Sequence, residues 1–138
     1  IVMTAEKKTL HDLGIRATPQ RMVVYGTLSH RKVHLSVDEV YHEVRERLPH
    51  ISRATVYAIL KYFKQKGVVR ELYIDSEKTI YESSRDEHQH FRCKQCGRIY
   101  DIKLDIPSLS DIYTPHGHIL EEFHGYFFGL CKGCQERV

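Results

Sequence analysis

Two short cysteine motifs constrain this chain more than any other feature: Cys93-Lys-Gln-Cys96 and Cys131-Lys-Gly-Cys134. In each motif the intervening residues form a tight turn that brings two thiolates within reach of one ion. Disulfides are the alternative, but they are disfavoured in a cytosolic chain, and a thioredoxin-like redox pair does not explain why there are two motifs. The spacing therefore predicts one tetrahedral structural zinc site with four sulfur ligands.

The charge of the chain is unevenly distributed. Residues 1–83 contain 14 Lys and Arg against 10 Asp and Glu, a net charge of +4, whereas residues 84–138 contain 7 against 8, a net charge of −1. A modest basic bias is only weak evidence for a nucleic-acid-binding surface. Because every cysteine lies in the second part, we expect two domains with different roles, residues 1–83 and residues 84–138. No apolar run approaches the roughly 20 residues of a membrane span, and the start lacks a signal-peptide core, which predicts a cytoplasmic protein without a membrane partner.

Helix signals recur through the first domain. Thr18-Pro19 is typical of a helix start, an N-cap followed by proline, and a shorter helix is expected before it. Ser36-Val-Asp-Glu39 fits a capping box. The apolar residues that follow recur at helical spacing until Pro49, which predicts a helix between these two signals.

A further helix and a hairpin complete the first domain. Ser52 is a suitable N-cap, and Gly67 is a suitable residue just past the end of the helix that Ser52 starts. Residues 68–74 and 79–81 have the composition of strands and are separated by a polar turn. Helices followed by a hairpin predict a winged helix-turn-helix domain.

The helix that begins after Ser52 has the position of a recognition helix, whose N-terminal side chains reach base edges in the major groove. The face opposite its predicted core carries Arg53, Tyr57, Lys61 and Lys64. We expect Arg53 and Tyr57 to be the residues that read bases: Arg53 bonds guanine or a phosphate, and the Tyr57 ring packs on a thymine methyl. The two lysines are expected to contact backbone phosphates. A solvated, lysine-rich helix face is the alternative, and the wing that follows the helix disfavours it.

The second domain is predicted to be a small α/β unit. Alternating residues predict strands at 98–102 and 119–128, with a short helix near residues 107–113. Strand edges and aromatic residues of this kind can pair with a second copy of the chain, which predicts a homodimer and two recognition helices for a two-part DNA site. The predicted class is therefore α+β, with an N-terminal winged helix-turn-helix domain and a small C-terminal dimerisation domain that contains the four-cysteine zinc site.

A second group of metal-type ligands lies beside the first cysteine motif. Glu82 ends the predicted wing, and His88 and His90 follow after a short polar link. Asp101 lies on the next predicted strand, and strand alternation places the two histidines on one side. With His34 as a third imidazole, the set suits a divalent first-row metal ion. Taken alone, a loop histidine such as His34 is usually a solvent-facing residue.

Together these motifs resemble those of the ferric uptake regulator family of repressors over essentially the whole chain. The matching segments are Thr18-Pro-Gln-Arg21, His34-Leu-Ser-Val-Asp-Glu-Val-Tyr41, Ser52-Arg-Ala-Thr-Val-Tyr57, His88-Gln-His90, Cys93-Lys-Gln-Cys96-Gly97 and Cys131-Lys-Gly-Cys134. The resemblance implies a metal-dependent repressor that binds a double-stranded DNA operator and controls genes of metal uptake or peroxide stress.

The resemblance also implies where a regulatory ion binds. In this family the ion is held at the hinge between the two domains, and the matching positions are His34, Glu82, His88, His90 and Asp101. An ion bound from both domains favours a closed arrangement, which sets the separation of the two recognition helices.

Further residues match functional positions of the family. Arg16 matches a basic residue that reaches an A·T-rich minor groove, and Tyr57 matches a tyrosine that contacts bases. The four cysteines match the structural zinc site, which supports the dimerisation domain. Many iron-responsive members have an additional metal site in the dimerisation domain. This chain keeps His124 at one position of that site but has Glu87, Gln89 and Ser108 at the others, so we expect the site to be weak or absent.

The signal is left open at the level of sequence. The reduced ligand set resembles that of peroxide-sensing repressors. In those proteins ferrous iron at the hinge reacts with peroxide, and a ligand histidine is oxidised; here that residue is His34 or His88. Those repressors usually have aspartate at the position of Glu82, so plain iron sensing is an equal alternative. Manganese also suits oxygen and imidazole ligands. A zinc-responsive repressor is a further alternative, although its sensing site usually includes a cysteine and none is spare here.

Two alternatives belong to other functional classes. A metalloenzyme can use three histidines and two carboxylates to activate water, but no separate general base or nucleophile motif accompanies the cluster. A zinc-ribbon interaction module has no DNA role, and the predicted recognition helix disfavours it. We therefore expect a regulator and not an enzyme.

Overall fold

A computed structural model describes residues 5–29, 33–83, 88–105, 108–112, 115–121 and 123–137. The chain divides into two compact units, Ile1–Arg85 and Asp86–Val138. Helices and sheets occur in both units, as the predicted α+β class requires. No helix among the described residues is long and apolar enough to cross a bilayer.

The described part of the first unit contains four helices and a three-stranded antiparallel sheet. Its elements are α1 (Ala5–Asp12), α2 (Pro19–Ser29), β1 (Leu35–Ser36), α3 (Val37–Arg47), α4 (Arg53–Gln65), β2 (Val69–Leu72) and β3 (Ile80–Ser83). The strand order is β1-β3-β2. The succession of α3, α4 and the β2–β3 hairpin is the predicted winged helix-turn-helix.

Capping hydrogen bonds confirm the predicted starts of α3 and α4. The Glu39 N–H donates to Ser36 Oγ at 3.3 Å, and the Ser36 N–H donates to Glu39 Oε1 at 3.1 Å, so the capping box is complete. The Thr55 N–H donates to Ser52 Oγ at 3.0 Å. Gly67 follows α4 with a φ of +74°, a conformation that residues with a Cβ rarely adopt. These local bonds satisfy backbone groups that the helix ends leave unpaired.

One apolar core joins the helices of the first unit. Its fully buried members include Leu10, Val24, Leu28, Val40, Val44, Val56, Leu60 and Phe63. In α4 these residues follow helical spacing, so the opposite face of the helix stays exposed. The core therefore determines which side of α4 is available to a partner.

The wing contains a strand that the sequence pattern did not predict. β1 pairs antiparallel with β3, with Leu35 opposite Tyr81 and Ser36 opposite Ile80. A strand of two residues has no measurable periodicity, and its pairing depends on a segment far along the chain. The predicted two-stranded hairpin is therefore the larger part of a three-stranded sheet.

The described part of the second unit contains a mixed three-stranded sheet and two short helical turns. Its strands are β4 (Gln89–Cys93), β5 (Ile99–Ile102) and β6 (Tyr126–Gly129), with a 3-10 turn at Leu109–Asp111 and a helix α5 at Lys132–Gln135. β4 lies in the centre, antiparallel to β5 and parallel to β6.

The predicted strand at 119–128 is wrong over most of its length. Only residues from Tyr126 onward form a strand, and the described residues 119–121 and 123–125 have no regular structure. The register explains the difference, because Tyr126 lies beside His90 and β4 begins one residue earlier, at Gln89. The described residues 119–121, 123 and 124 therefore lie before the start of β4 and have no partner strand among the residues that the structure describes. The helix expected near residues 107–113 is reduced to one 3-10 turn, and residues 107 and 113 lie outside the described residues.

The second unit buries very few side chains. Among its described residues, the buried ones are Cys93, Cys131, Cys134 and His90. Large apolar side chains such as Phe123, Phe127 and Phe128 are instead about half exposed, at 56%, 44% and 50%. A unit of this size with so small a core needs another source of stability, such as a metal ion or a partner surface.

Candidate metal centres and nucleic-acid surface

The two cysteine motifs converge on one point of the second unit. Cys93 ends β4 and Cys96 lies in the following turn, whereas Cys131 caps α5 and Cys134 lies within it. The Cys93 and Cys134 sulfurs are 3.7 Å apart, and the Cys96 and Cys131 sulfurs are 3.9 Å apart. A tetrahedral zinc ion with Zn–S bonds of about 2.3 Å requires sulfurs about 3.8 Å apart. The four thiols, none of which is in a disulfide, therefore fit a zinc ion in both type and spacing.

Hydrogen bonds within the cluster shift the pKa values of its thiols in opposite directions. Backbone N–H groups of Cys96 and Cys131 lie 3.5 and 3.4 Å from Cys93 Sγ, and these hydrogen bonds lower the pKa of the Cys93 thiol to about 6. A hydrogen bond with Cys131 raises the pKa of the Cys134 thiol to about 12. Four thiolates together need a positive charge at their centre, so binding of a cation releases protons.

Sequence reasoning missed two residues beside this cluster. The Tyr100 hydroxyl hydrogen bonds with the Cys131 thiol, and Arg98 hydrogen bonds with Tyr100. Both residues follow the first cysteine motif closely: Arg98 directly precedes β5, and Tyr100 lies within it. The sequence shows an arginine and a tyrosine two residues apart, but the Cys131 thiol that Tyr100 contacts lies more than 30 residues further along the chain.

In the first unit, His34 lies against Glu82. The β1–β3 ladder pairs Leu35 with Tyr81, so one further step places His34 opposite Glu82. His34 Nε2 is 3.1 Å from Glu82 Oε2, and the two side chains are 11% and 1% exposed. A carboxylate buried to this extent requires a polar or charged partner. His34 is therefore not the solvent-facing loop residue that its position alone suggested.

In the second unit, His88 and His90 lie against Asp101. Asp101 is opposite His90 in the β4–β5 ladder. Asp101 Oδ1 is 3.3 Å from His88 Nε2 and 3.7 Å from His90 Nε2, and both histidine side chains are largely buried. The rings of His88 and His90 have centroids 4.6 Å apart. Two imidazole nitrogens and a carboxylate oxygen thus lie within 4.8 Å of one another, close enough to bind one ion.

Residues at the positions of the family's additional metal site, which we expect to be weak or absent here, make other contacts. The Leu104 N–H donates to Gln89 Oε1 at 3.1 Å, and Ser108 Oγ donates to Asp111 Oδ2 at 3.0 Å. His124 lies in an irregular segment, and Glu87 is outside the described residues.

The exposed face of α4 carries the four predicted DNA contacts of that helix. Tyr57 is 48% exposed, and Lys61 has no ion pair within the described part of the chain. Arg53 forms an ion pair with Asp38 of α3, and Lys64 Nζ donates to Glu71 Oε2 of β2 at 2.7 Å. Two of the four predicted contacts are thus paired with carboxylates. Arg16, in the segment between α1 and α2, is exposed.

Glu71 holds the wing against α4. Besides Lys64, it accepts hydrogen bonds from the hydroxyls of Tyr73 and Tyr81, each at 3.1 Å. Burial raises the pKa of Glu71, but these three donors outweigh it, and the pKa is lowered overall. Burial also raises the pKa of Tyr81 well above its usual range, so the hydroxyl stays protonated and donates. This network was not apparent from the sequence, because Lys64 lies on the preceding helix and Tyr81 ten residues further along the chain.

Comparison with known proteins gives consistent results. The model of the ferric uptake regulator family matches residues 12–121. The peroxide-responsive repressor PerR of Staphylococcus saprophyticus is 32% identical over 133 residues, which cover 94% of this chain and 88% of that protein. The Campylobacter jejuni peroxide stress regulator superposes with a TM-score of 0.68 at 31% identity, covering 93% of this chain and 95% of that one. The ferric uptake regulator of Vibrio cholerae superposes with a TM-score of 0.71 at 26% identity, covering 90% and 98%.

Proposed function

The chain belongs to the ferric uptake regulator family, and on that premise we propose that it is a metal-dependent transcriptional repressor that binds a specific DNA operator. The observation that carries the proposal is the pair of ligand groups, His34 with Glu82 and the histidines at 88 and 90 with Asp101, each formed within its own unit. Polar groups buried in this way are expensive for a fold unless they have a purpose such as binding.

In this proposal a single divalent ion takes its ligands from both units. His34 and Glu82 come from the first unit, and His88, His90 and Asp101 come from the second. Imidazole and carboxylate ligands suit ferrous iron and manganese, and cellular supply decides between them. When bound, the ion supplies a positive charge that both ligand groups share. Because both groups can contact the same charge in only one arrangement of the units, occupancy favours the arrangement that binds DNA.

The first unit carries the proposed DNA-binding surface. The V. cholerae relative is described as having DNA-binding domains. Here α4 presents Arg53, Tyr57 and Lys61 on an exposed face beside a wing, as a helix that enters the major groove requires. We assign base contacts to Arg53 and Tyr57, phosphate contacts to Lys61 and Lys64, and a minor-groove contact to Arg16.

The second unit is proposed to bind structural zinc and a second copy of the chain. Its buried side chains are mostly the cysteines, so zinc supplies much of its stability. Its exposed aromatic residues on β6, Phe127 and Phe128, suit a dimer interface. A homodimer then presents two copies of α4 to two half-sites.

Peroxide is the proposed signal, because the relatives above 30% identity are named for their response to peroxide. The test is mass spectrometry of the iron-loaded protein after exposure to peroxide. We expect a gain of one oxygen atom on His34 or His88, which releases the ion and DNA. Peroxide sensors usually have aspartate at the position of Glu82. The same measurement therefore tests whether a site with glutamate at this position still reacts with peroxide. If peroxide adds no oxygen to the protein, but DNA binding still depends on the iron concentration, the protein is a plain iron sensor.

The function as a whole is tested with His90→Ala. We expect this variant to stay folded and retain zinc but to lose the dependence of DNA binding on manganese, because one imidazole ligand is gone. His116→Ala is the matched control, since His116 is an exposed histidine in the same unit. Normal metal-dependent DNA binding by His90→Ala would mean that the assigned site is incorrect.

A further inference from the structure

Arg53, the first residue of α4, is held by a carboxylate from the preceding helix. Its Nε donates a hydrogen bond to Asp38 Oδ1. The Arg53 and Asp38 side chains are 58% and 66% exposed, and this hydrogen bond lowers the pKa of Asp38. Exposed ion pairs contribute little to fold stability, so we expect this pair to affect the orientation of Arg53 more than the stability of the fold.

The bond to Asp38 leaves the two terminal nitrogens of the Arg53 guanidinium available to another partner. Asp38 takes the Nε donor, and no other partner of Arg53 occurs in the part of the chain that the structure describes. The two terminal nitrogens form a fork that matches the O6 and N7 acceptors of guanine. The start of a recognition helix is also where side chains reach base edges. Lys64, which is likewise paired with a carboxylate, is a point charge and has no such fork.

We propose that Asp38 is a specificity-determining residue that orients Arg53 toward a guanine edge. Two effects act together. The hydrogen bond to Nε restricts the guanidinium to one orientation, and the negative charge of Asp38 weakens contacts of Arg53 with phosphates that carry no sequence information. The inference rests on the proposed DNA-binding function and assigns a role to a residue on α3, outside the recognition helix.

The test compares Asp38→Asn and Asp38→Ala in the full-length, manganese-loaded protein. Wild-type protein first selects a binding sequence from DNA duplexes with a randomised centre. Affinities are then measured for the selected duplex, its single-base-pair variants and a scrambled duplex. Glu46→Gln is the control, because it removes a charge from an exposed position on the same helix without touching α4.

We expect the two substitutions to separate charge from orientation. Both remove one negative charge, so both raise affinity for the scrambled duplex by the same factor. Asn retains an acceptor oxygen for Nε and keeps discrimination at the guanine position. Ala has no acceptor, and discrimination at that base pair falls roughly tenfold. Glu46→Gln leaves discrimination unchanged.

Arg53 must mediate the effect. Arg53→Ala lowers discrimination at the same base pair, and adding Asp38→Ala to it causes no further loss. Equal discrimination by Asp38→Ala and wild type, or losses that simply add in the double variant, would overturn the inference while leaving DNA binding intact. Failure of wild-type protein to select any sequence would overturn the proposed function as well, so the two failures are distinguishable. Thermal melts of each variant establish that α3 is still folded.

Discussion

At the residue level, strand register brings each histidine to its carboxylate. His34 meets Glu82 through the β1–β3 ladder, and His90 meets Asp101 through the β4–β5 ladder. Each carboxylate is thus placed by an antiparallel neighbour and not by its distance along the chain. Because Asp101 contacts both His88 and His90, it has the largest expected effect on their orientation.

We expect Asp101→Asn to lower manganese affinity by roughly 10- to 100-fold, whether Asp101 binds the ion directly or orients the histidines. Calorimetric titration of the zinc-loaded protein measures the change. Asp105→Asn is the matched control, since Asp105 is an exposed acidic residue close by in the chain. Equal losses in both variants would indicate a general charge effect and contradict the assigned role.

Cys96→Ser is expected to remove zinc and lower the melting temperature. Cys96 is one of the four proposed sulfur ligands, and the other three cysteines are three of the four buried residues in the described part of the second unit. Structural zinc contributes free energy of folding directly, so its loss unfolds this unit first. Zinc content and thermal unfolding are the measurements, with Lys94→Ala as a control that changes the same motif but no thiol. A Cys96→Ser protein that is equally stable without zinc would disprove the structural site.

At the level of elements, α3 depends on its N-terminal cap. Ser36→Ala removes the buried Ser36 Oγ acceptor of the capping box and leaves the Glu39 N–H without its side-chain partner. We expect the free energy of unfolding to fall by about 0.5–2 kcal/mol. Glu39→Gln is the control, because glutamine also serves at this position of a capping box. Urea denaturation distinguishes the two, and equal losses would mean that the cap is not the cause.

The wing depends on Glu71. Glu71→Gln removes a carboxylate that accepts from Lys64, Tyr73 and Tyr81, and hydrogen bonds to a charged group of this kind contribute about 1.5–3 kcal/mol. The folded protein lowers the pKa of Glu71 below its ordinary value of 4.5. The contribution of Glu71 is therefore fully present above that value and is lost as the pH falls through the lower, folded pKa.

This dependence predicts how the Glu71→Gln variant behaves in acid. The difference in unfolding free energy between wild type and variant should be largest at neutral pH and shrink as the pH falls below 4.5. Glu77→Gln, in the exposed turn of the hairpin, should show no such change. Denaturation curves across this pH range measure it, and a difference that is constant with pH would contradict the assigned role of Glu71.

The same elements explain what the sequence could and could not predict. Helix starts at Ser36 and Ser52 were predictable because the capping partners lie three residues away. The third wing strand and the shortened β6 were not, because strand pairing depends on residues elsewhere in the chain. The cysteine motifs predicted the four-thiol cluster directly, because each motif fixes two of the thiols. Asp38 and Glu71 were missed, since an acidic side chain acquires its role from the cation that the fold brings beside it.

At the level of the whole molecule, the two units divide the work. The first has a large apolar core and an exposed helix that suits DNA, and the second has a small described core that contains three of the four thiols. Each unit contributes part of the proposed ligand set, so the proposal predicts that ion binding changes the affinity for DNA. The size of this effect is a coupling free energy between the two binding events. Such coupling is reciprocal, and typical values correspond to a 5- to 150-fold change in affinity.

The most direct measurement is the affinity of the zinc-loaded protein for its selected DNA duplex, with manganese and after removal of manganese by a chelator that leaves the cysteine site intact. We expect manganese to raise DNA affinity by roughly tenfold or more, and DNA to raise manganese affinity by the same factor. Equal DNA affinity with and without manganese, in protein that binds manganese normally, would contradict the central claim that metal binding controls this repressor.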